Sequence, residues 1–313
     1  MKHPPYHLRP NKAVDRLMFI EAIRRLGMPN DLAKYEYYGF GGPYLEEFRL
    51  LYEFFPEVKM TSLEDDQQTF KRQKFHLPCG SITLLYRDFK SFLTQYDSHD
   101  RKSIFWLDYI DLKYGCFEDF MALLCKVADR SVIKITLRAA PNDYLETKKI
   151  VEFNKQFSEV MPNSSMDPPR EFDKFVRLLQ DMLQISSQKT LSNATGRVFQ
   201  PISSFFYNDG TGMFTLTGIV CPRDKLKDIR PLFKDWCFAN LNWNKPRIID
   251  MPFLSTKERL HLQKHLPCGH DAGRKLLKKL GYIIDENRRK TIIKMKQYAD
   301  FYRYYPHFVR AIP

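Results

Sequence analysis

Four successive strand-like runs in the first half of the chain each end in glycines or a carboxylate, with helix-period segments between them. Tyr35-Glu36-Tyr37-Tyr38 runs into Gly39-Phe40-Gly41-Gly42, and Val58 to Asp66 ends in Glu64-Asp65-Asp66. Ser81 to Asp88 closes on Asp88, and Ser103 to Asp111 carries Asp108 and Asp111. A fifth run, Ser131 to Leu137, follows a helical segment from Phe117 to Cys125. Strands alternating with helices predict a mostly parallel sheet covered on both faces. Ligands of such sheets meet the C-terminal ends of the strands, so these glycines and acids are expected along one edge.

The glycine stretch is followed by Tyr44 to Phe54, whose apolar residues fall at helical spacing. Glycines let a backbone approach a ligand that a Cβ would exclude, and a helix N-terminus adds free N–H groups. The same residues also suit an ordinary tight turn between strand and helix. One acid after a strand is equally what a helix N-cap favours. Acids after three strands, with glycines after the first, are harder to attribute to capping alone and point to a cofactor.

Residues 142–200 read as a mostly helical, polar insertion, with a loop from Asn163 to Pro169, a helix from Glu171 to Gln184 and a polar loop from Ser186 to Gln200. Beyond it, Ile202 to Val220 places two β-rich runs on either side of Asn208-Asp209-Gly210-Thr211-Gly212, a hairpin signal.

Five strands closed by an antiparallel hairpin, with this placement of glycines and acids, resemble a class I S-adenosylmethionine-dependent methyltransferase over residues 30–221. That is a three-layer, Rossmann-like α/β fold; the hairpin separates it from dinucleotide oxidoreductases, whose sheets are all parallel. More narrowly, the chain is similar to uncharacterised bacterial proteins labelled O-methyltransferases. The resemblance implies that Gly39, Gly41 and Gly42 pass under the methionine part of S-adenosylmethionine. It implies that Glu64 holds both ribose hydroxyls, that Asp88 accepts from the adenine amino group, and that Asp108 and Tyr109 sit beside the transferred methyl. Two positions depart from the pattern. Glu36 lies three residues before the first glycine, with Tyr37 where the family has its acid, and Tyr109-Ile110 stand where amine-directed enzymes carry prolines.

Methyl transfer from a sulfonium needs alignment more than acid or base, and a base matters chiefly when the acceptor is a hydroxyl. Asp108, Asp111 and Lys113 are the candidates for that base or for orienting the acceptor. Their spacing loosely resembles the metal-and-lysine arrangement of magnesium-dependent O-methyltransferases, but that ion needs two or more oxygen ligands and only the pair Asp108 and Asp111 is visible, so no metal is expected. Asp111 equally suits the N-cap of the next segment.

Asn11 to Gly27 reads as an amphipathic helix closed by Gly27, with Val14, Leu17, Met18 and Leu26 on an apolar stripe. Lys12 and Arg16 then belong either to a solvated basic face or to a phosphate or carboxylate contact. Six cysteines without a C-x-x-C pair suggest buried thiols in a reducing cytoplasm. Cys268-Gly269-His270 lacks further ligands nearby and reads as a loop. The chain has no long apolar run and opens without an apolar signal region, so neither a membrane span nor secretion is expected.

Residues from Cys221 onward carry 21 Lys and Arg against 9 Asp and Glu, or +12 of the chain's +13. This suggests three parts: a helical lead-in at 1–29, the α/β domain at 30–221 and a basic, mainly helical region at 222–313. The last is expected to hold helices at Leu226 to Asn240, Ser255 to His265, Ala272 to Leu280 and Ile292 to Tyr305. Pro267-Cys268-Gly269 gives the middle pair a helix-turn-helix-like spacing; Arg288-Arg289-Lys290 with Tyr298, Tyr302, Tyr304 and Tyr305 forms a candidate single-stranded nucleic-acid surface. Packed helical hairpins and solvated basic faces explain the same residues. Two functions follow: a methyltransferase acting on an unidentified acceptor, or a binding protein that keeps the fold and transfers nothing.

Overall fold

A computed structural model of the protein describes residues 9–26, 34–98, 101–162, 167–191 and 195–306. Gly27, expected to close the first helix, and Asn163 to Met166 of the expected loop lie outside these residues. The chain divides into two compact units, one of residues 19–206 with 211–247, the other of residues through Met18, 207–210 and from Ile248 onward.

Helix α1 (Pro10–Arg25) leads the chain. Lys12 and Arg16 do not belong to a solvated face, although Arg24 near its end is exposed. Lys12 and Arg16 are 4% and 5% exposed and Asp15 is fully buried, alongside Val14, Met18, Ala22 and Ile23. Apolar residues recur around its circumference, including Phe19 and Ile20, and a helix apolar on most sides is a buried one.

In the larger unit, β1 (Tyr35–Gly39), α2 (Glu46–Phe54), β2 (Lys59–Glu64), α3 (Gln67–His76), β3 (Ile82–Tyr86), α4 (Phe89–Gln95), β4 (Lys102–Asp108), α5 (Tyr114–Lys126) and β5 (Val132–Arg138) alternate as expected. α6 (Thr147–Gln156) and α7 (Phe172–Thr190) follow, then the hairpin of β6 (Arg197–Asn208) and β7 (Gly212–Pro222). A short α8 (Leu226–Ile229) precedes the two-residue β8 (Arg247–Ile248). The sheet order is β3-β2-β1-β4-β5-β7-β6-β8. The first five strands pair in parallel and β7 pairs antiparallel to β5. The chain leaves β1 toward β2 and β3, then crosses back to β4, so the switch point lies between β1 and β4. Ligands of open α/β sheets bind at that point.

The core of this unit joins Leu63, Phe105, Leu107, Phe117, Phe120, Ile133 and Leu179 with the apolar face of α7. Burying each such side chain stabilises the fold by roughly 1.5–3 kcal/mol. At Gly218 on β7, an added Cβ would lie 2.2 Å from the Phe199 ring of β6, so the ring packs directly on backbone and leaves no room for a side chain.

Two expectations fail here for local reasons. The polar stretch after Gln184 is not loop from Ser186, because α7 continues to Thr190. Ser186 and Ser187 are buried and satisfy their hydroxyls inside the helix, on the carbonyls of Met182 and Gln184 at 2.8 Å each. Leu226 to Asn240 is not one helix: α8 is a single turn flanked by tight turns at Arg223–Lys225 and Arg230–Phe233. Pro231 removes a helical donor, and Asn240 is drawn to Ser204 Oγ at 2.7 Å. Cys116 and Cys221 are buried thiols, whereas Cys125 and Cys237 are exposed.

The smaller unit contains α9 (Thr256–Gln263), α10 (Ala272–Leu280) and α11 (Arg288–Phe301). Ser255 and Glu258 form the expected capping box, and Gly281 ends α10 at φ 86°. Gly273 lets α10 and α11 approach: a Cβ there would lie 2.3 Å from the carbonyl of Ile292. The connection from Lys264 to Asp271 is longer than the three or four residues of a helix-turn-helix, so that spacing is not realised. Tyr298 and Tyr305 are core residues, packed edge to face at 5.7 Å, and Tyr305 donates to the carbonyl of Pro252 at 2.9 Å. They form no exposed stacking platform.

Candidate active site

Strand register aligns the expected residues along one edge of the larger unit. Gly39 pairs with Ser62 and with Trp106, so Glu64 and Asp108 each lie two residues further along the neighbouring strands. Glu64 pairs with Tyr86, two residues short of Asp88, and Asp108 pairs with Thr136, two residues short of Arg138.

The loop after β1 turns through left-handed backbone at Gly41 (φ 70°) and Gly42 (φ 51°), conformations that suit glycine. The two have different surroundings. A Cβ on Gly41 would meet Leu45, Ser62 and Phe48 atoms at 2.7–2.9 Å, whereas a Cβ on Gly42 would meet nothing within 4 Å. Gly41 therefore serves packing, and Gly42 borders open space. At Gly39 the space for a Cβ is taken by the Tyr37 hydroxyl, 2.6 Å away, so the residue in the family's acid position leans over the first glycine.

Gln73, on the buried face of α3, fastens this loop. Its Nε2 donates to the carbonyls of Phe40 (2.9 Å) and Gly42 (3.0 Å), and its Oε1 accepts from Ser62 Oγ at 3.1 Å. The sequence offered one signal for it, a glutamine on the helix face where Phe70 and His76 also fall, and it was not among the expected residues.

Glu64 accepts from the backbone N–H of Asp66 at 2.9 Å and from Gln73 Nε2 at 3.4 Å, and burial raises its pKa. A carboxylate offers about four lone-pair directions, leaving room for two hydroxyl donors. Asp66 and Asp88 cap α3 and α4, accepting from the N–H groups of Thr69 (2.7 Å) and Ser91 (2.9 Å). The Ser91 hydrogen bonds hold the Asp88 carboxyl below its ordinary pKa. Capping thus accounts for these two acids more fully than the sequence suggested.

Asp108 is partly buried at the end of β4. The neighbouring Tyr109 turns its hydroxyl inward, donating to Asp119 Oδ2 of α5 at 2.8 Å, while its ring meets Phe40 edge to face at 5.3 Å. Burial pushes the pKa of both Tyr109 and Asp119 upward. Tyr109 is therefore a wall between the glycine loop and the loop after β4. Asp111 is exposed and ion-paired with Lys113 at 3.4 Å; the N-cap of α5 is Lys113, not Asp111.

Beside Asp111 lies a pocket of about 250 Å3, lined by Asp111, Leu112, Lys113, Arg138, Ala140, Asp143 and Tyr144. Arg138 ends β5 and holds Asp143 at 2.8 Å, while its buried Nε has no hydrogen-bond partner among the described residues. Arg138 was not expected from sequence, although it occupies on β5 the terminal position that acids occupy on β2 and β4. No group of three or more His, Cys, Asp or Glu side chains capable of holding a metal occurs among the described residues. No helix among them is long and apolar enough to cross a membrane.

A family model described as "Putative O-methyltransferase" matches residues 4–313. Trm1 from Pyrococcus horikoshii, solved with S-adenosyl-L-methionine, superposes with a TM-score of 0.50 at 9% identity, covering 95% of this chain and 80% of that one. A sarcosine dimethylglycine methyltransferase assignment from Galdieria sulphuraria follows at TM-score 0.40 and 14% identity, covering 65% and 85%. A 16S rRNA (adenine(1408)-N(1))-methyltransferase variant from Catenulisporales acidiphilia gives 0.38 and 12%, covering 66% and 92%. Among curated proteins no sequence matches. At these identities the likeness speaks to fold: a mostly parallel, Rossmann-like methyltransferase sheet ending in an antiparallel hairpin.

Proposed function

The chain belongs to this O-methyltransferase family, and from that premise we propose that it transfers the methyl group of S-adenosylmethionine to an oxygen acceptor held beside Asp111. The observation that carries the reading is Gly42, whose left-handed backbone borders space that no protein atom fills, at the same sheet edge as Glu64 and Asp108. These residues fit the cofactor. Gly42 brings backbone to its methionine part, with Gly41 packing the loop behind it, Glu64 accepts from two ribose hydroxyls, and the exposed Asp88 faces the adenine end. The bound cofactor supplies an electrophilic methyl on sulfur.

The protein's own part is mostly alignment. Tyr109, fixed by Asp119 and by its contact with Phe40, walls the space beside Asp108. The pocket at Arg138 and Lys113 orients the acceptor, and its hydroxyl proton passes to a carboxylate oxygen of Asp111, held in place by Lys113. In the C-terminal part, Arg274, Lys275, Lys278 and Lys279 of α10 are exposed and open to a polyanionic partner carrying that acceptor.

Calorimetric titration with S-adenosylmethionine and S-adenosylhomocysteine tests the cofactor, with Glu64→Ala expected to bind at least ten-fold more weakly than wild type. Absence of binding to the wild type would sink the assignment. With isotopically labelled methyl and a panel of hydroxyl, carboxyl and amine acceptors, product methyl on nitrogen would overturn the oxygen-directed part.

A further inference from the structure

From Gln67 to Arg87 the chain carries Lys71, Arg72, Lys74 and Arg87 and no Asp or Glu. α3 turns its Gln73 face to the protein and leaves Lys71, Arg72, Lys74 and Phe75 outward. Phe75 is 85% exposed, with its ring edge-on to His76 at 5.1 Å, and the His76 ring lies 5.1 Å from Tyr44. Along the same helix, Lys74 Nζ sits 4.7 Å over the Phe70 ring, which lies 5.2 Å from Tyr86 on β3. Tyr86 is 52% exposed on the outermost strand at this end of the sheet. Arg72 stands 4.8 Å over Tyr44 and donates to its hydroxyl at 2.7 Å.

Cations alone on an edge strand guard against strand pairing, but that purpose does not call for open aromatic rings. The acids that bound this stretch, Asp66 and Asp88, are engaged as helix caps, and the three exposed cations on the outward face of α3 favour a polyanion over an ordinary protein surface. Rings with an open face select bases that are not already stacked in a duplex, and stacking of this kind tolerates any sequence. We propose that the outer face of α3 and the edge strand β3 bind single-stranded nucleic acid, bases stacking on Phe75 and Tyr86 and phosphates meeting Lys71, Arg72 and Lys74. The site supplies the stacking platform that Tyr298 and Tyr305, buried in the smaller unit, do not. It does not rest on the cofactor reading, since binding is measured without cofactor.

The test is fluorescence anisotropy of the full chain with a labelled single-stranded RNA of about 12 nucleotides, within the usual footprint of such sites, and with the corresponding duplex. Phe75→Ala should weaken single-strand binding about ten-fold and leave the duplex unchanged, as expected for one lost stack. Lys71→Ala with Lys74→Ala should flatten the slope of log affinity against log salt by about 1.4, or about 0.7 for each lost contact. Lys278→Ala with Lys279→Ala on α10 should affect single strand and duplex alike. Unaltered melting temperature of Phe75→Ala, an exposed substitution, excludes loss of folding. Single-strand affinity that survives Phe75→Ala overturns the proposal. So does a wild-type chain that self-associates in sedimentation and becomes monomeric with Phe75→Ala, because the ring would then serve a second copy.

Discussion

Gln73 on α3 donates its side-chain amide to the main-chain carbonyl of Phe40 at 2.9 Å, so the helix after β2 holds the loop after β1. The amide is fully buried, and the same nitrogen reaches Gly42. Gln73→Met keeps the volume and removes both donors. Unfolding by urea should show a loss of about 3 kcal/mol, the cost of leaving buried carbonyls and Ser62 without their partner. Cofactor affinity measured by calorimetry should fall with it.

The two left-handed glycines should separate fold from binding. Gly41→Ala drives a methyl into Leu45, Ser62 and Phe48, and thermal melts should show a clear destabilisation. Gly42→Ala meets no atom and costs only the backbone term, about 1 kcal/mol. Its methyl enters the space assigned to the cofactor, so binding should drop at least ten-fold while the melt moves little. Undiminished binding by Gly42→Ala would place the cofactor elsewhere.

Glu64 must be ionised to accept two hydroxyls, and burial holds its pKa above the ordinary glutamate value. Affinity for S-adenosylmethionine should therefore be constant near neutral pH and weaken on acidification, with a midpoint above that value. For stability the sign is opposite: the folded state binds the proton more tightly, so this group's contribution declines as pH rises through its folded pKa. Glu64→Gln should abolish the acid limb of the binding curve, and a persisting limb would assign it to another group.

Tyr109→Phe removes the hydrogen bond that favours ionised Asp119, whose pKa burial already raises. The Asp119 pKa should rise further, and the variant should lose about 1–3 kcal/mol. Because the folded pKa lies above the unfolded one, the loss should be greater at neutral than at mildly acidic pH, as urea titrations at two pH values will show. Asp119→Asn, which keeps an acceptor for the tyrosine, should be milder and nearly independent of pH.

The sheet was legible because its signal is periodic and local: strands, helices, the hairpin turn and the acids at strand ends all announce themselves within a few residues. The register that aligns Gly39, Glu64 and Asp108 follows from the parallel topology. What resisted reading depends on distant partners. Lys12 and Arg16 look like surface residues until the all-round burial of α1 is seen. Asp88 gives one carboxylate oxygen to the cap of α4 and Tyr109 spends its hydroxyl on Asp119, engagements that position after a strand does not reveal. Gln73 and Arg138 were missed because a lone glutamine or arginine carries no spacing pattern. Of the C-terminal tyrosines, Tyr298 and Tyr305 are packed while Tyr302 and Tyr304 are partly exposed, a division that aromatic content does not reveal.

The antiparallel pairing of β5 with β7 also has a consequence for how the chain is made. β5, at residues 132–138, is buried along nearly its whole length, with Val132, Ile133, Ile135 and Leu137 apolar, yet its outer neighbour is not synthesised until residues 212–222. A nascent chain that has emerged through α7 therefore displays a finished parallel half-sheet with a bare hydrophobic margin. Such a margin recruits other strands. The hairpin thus closes this margin of β5, and chains halted before it are the form of this protein most in need of a chaperone.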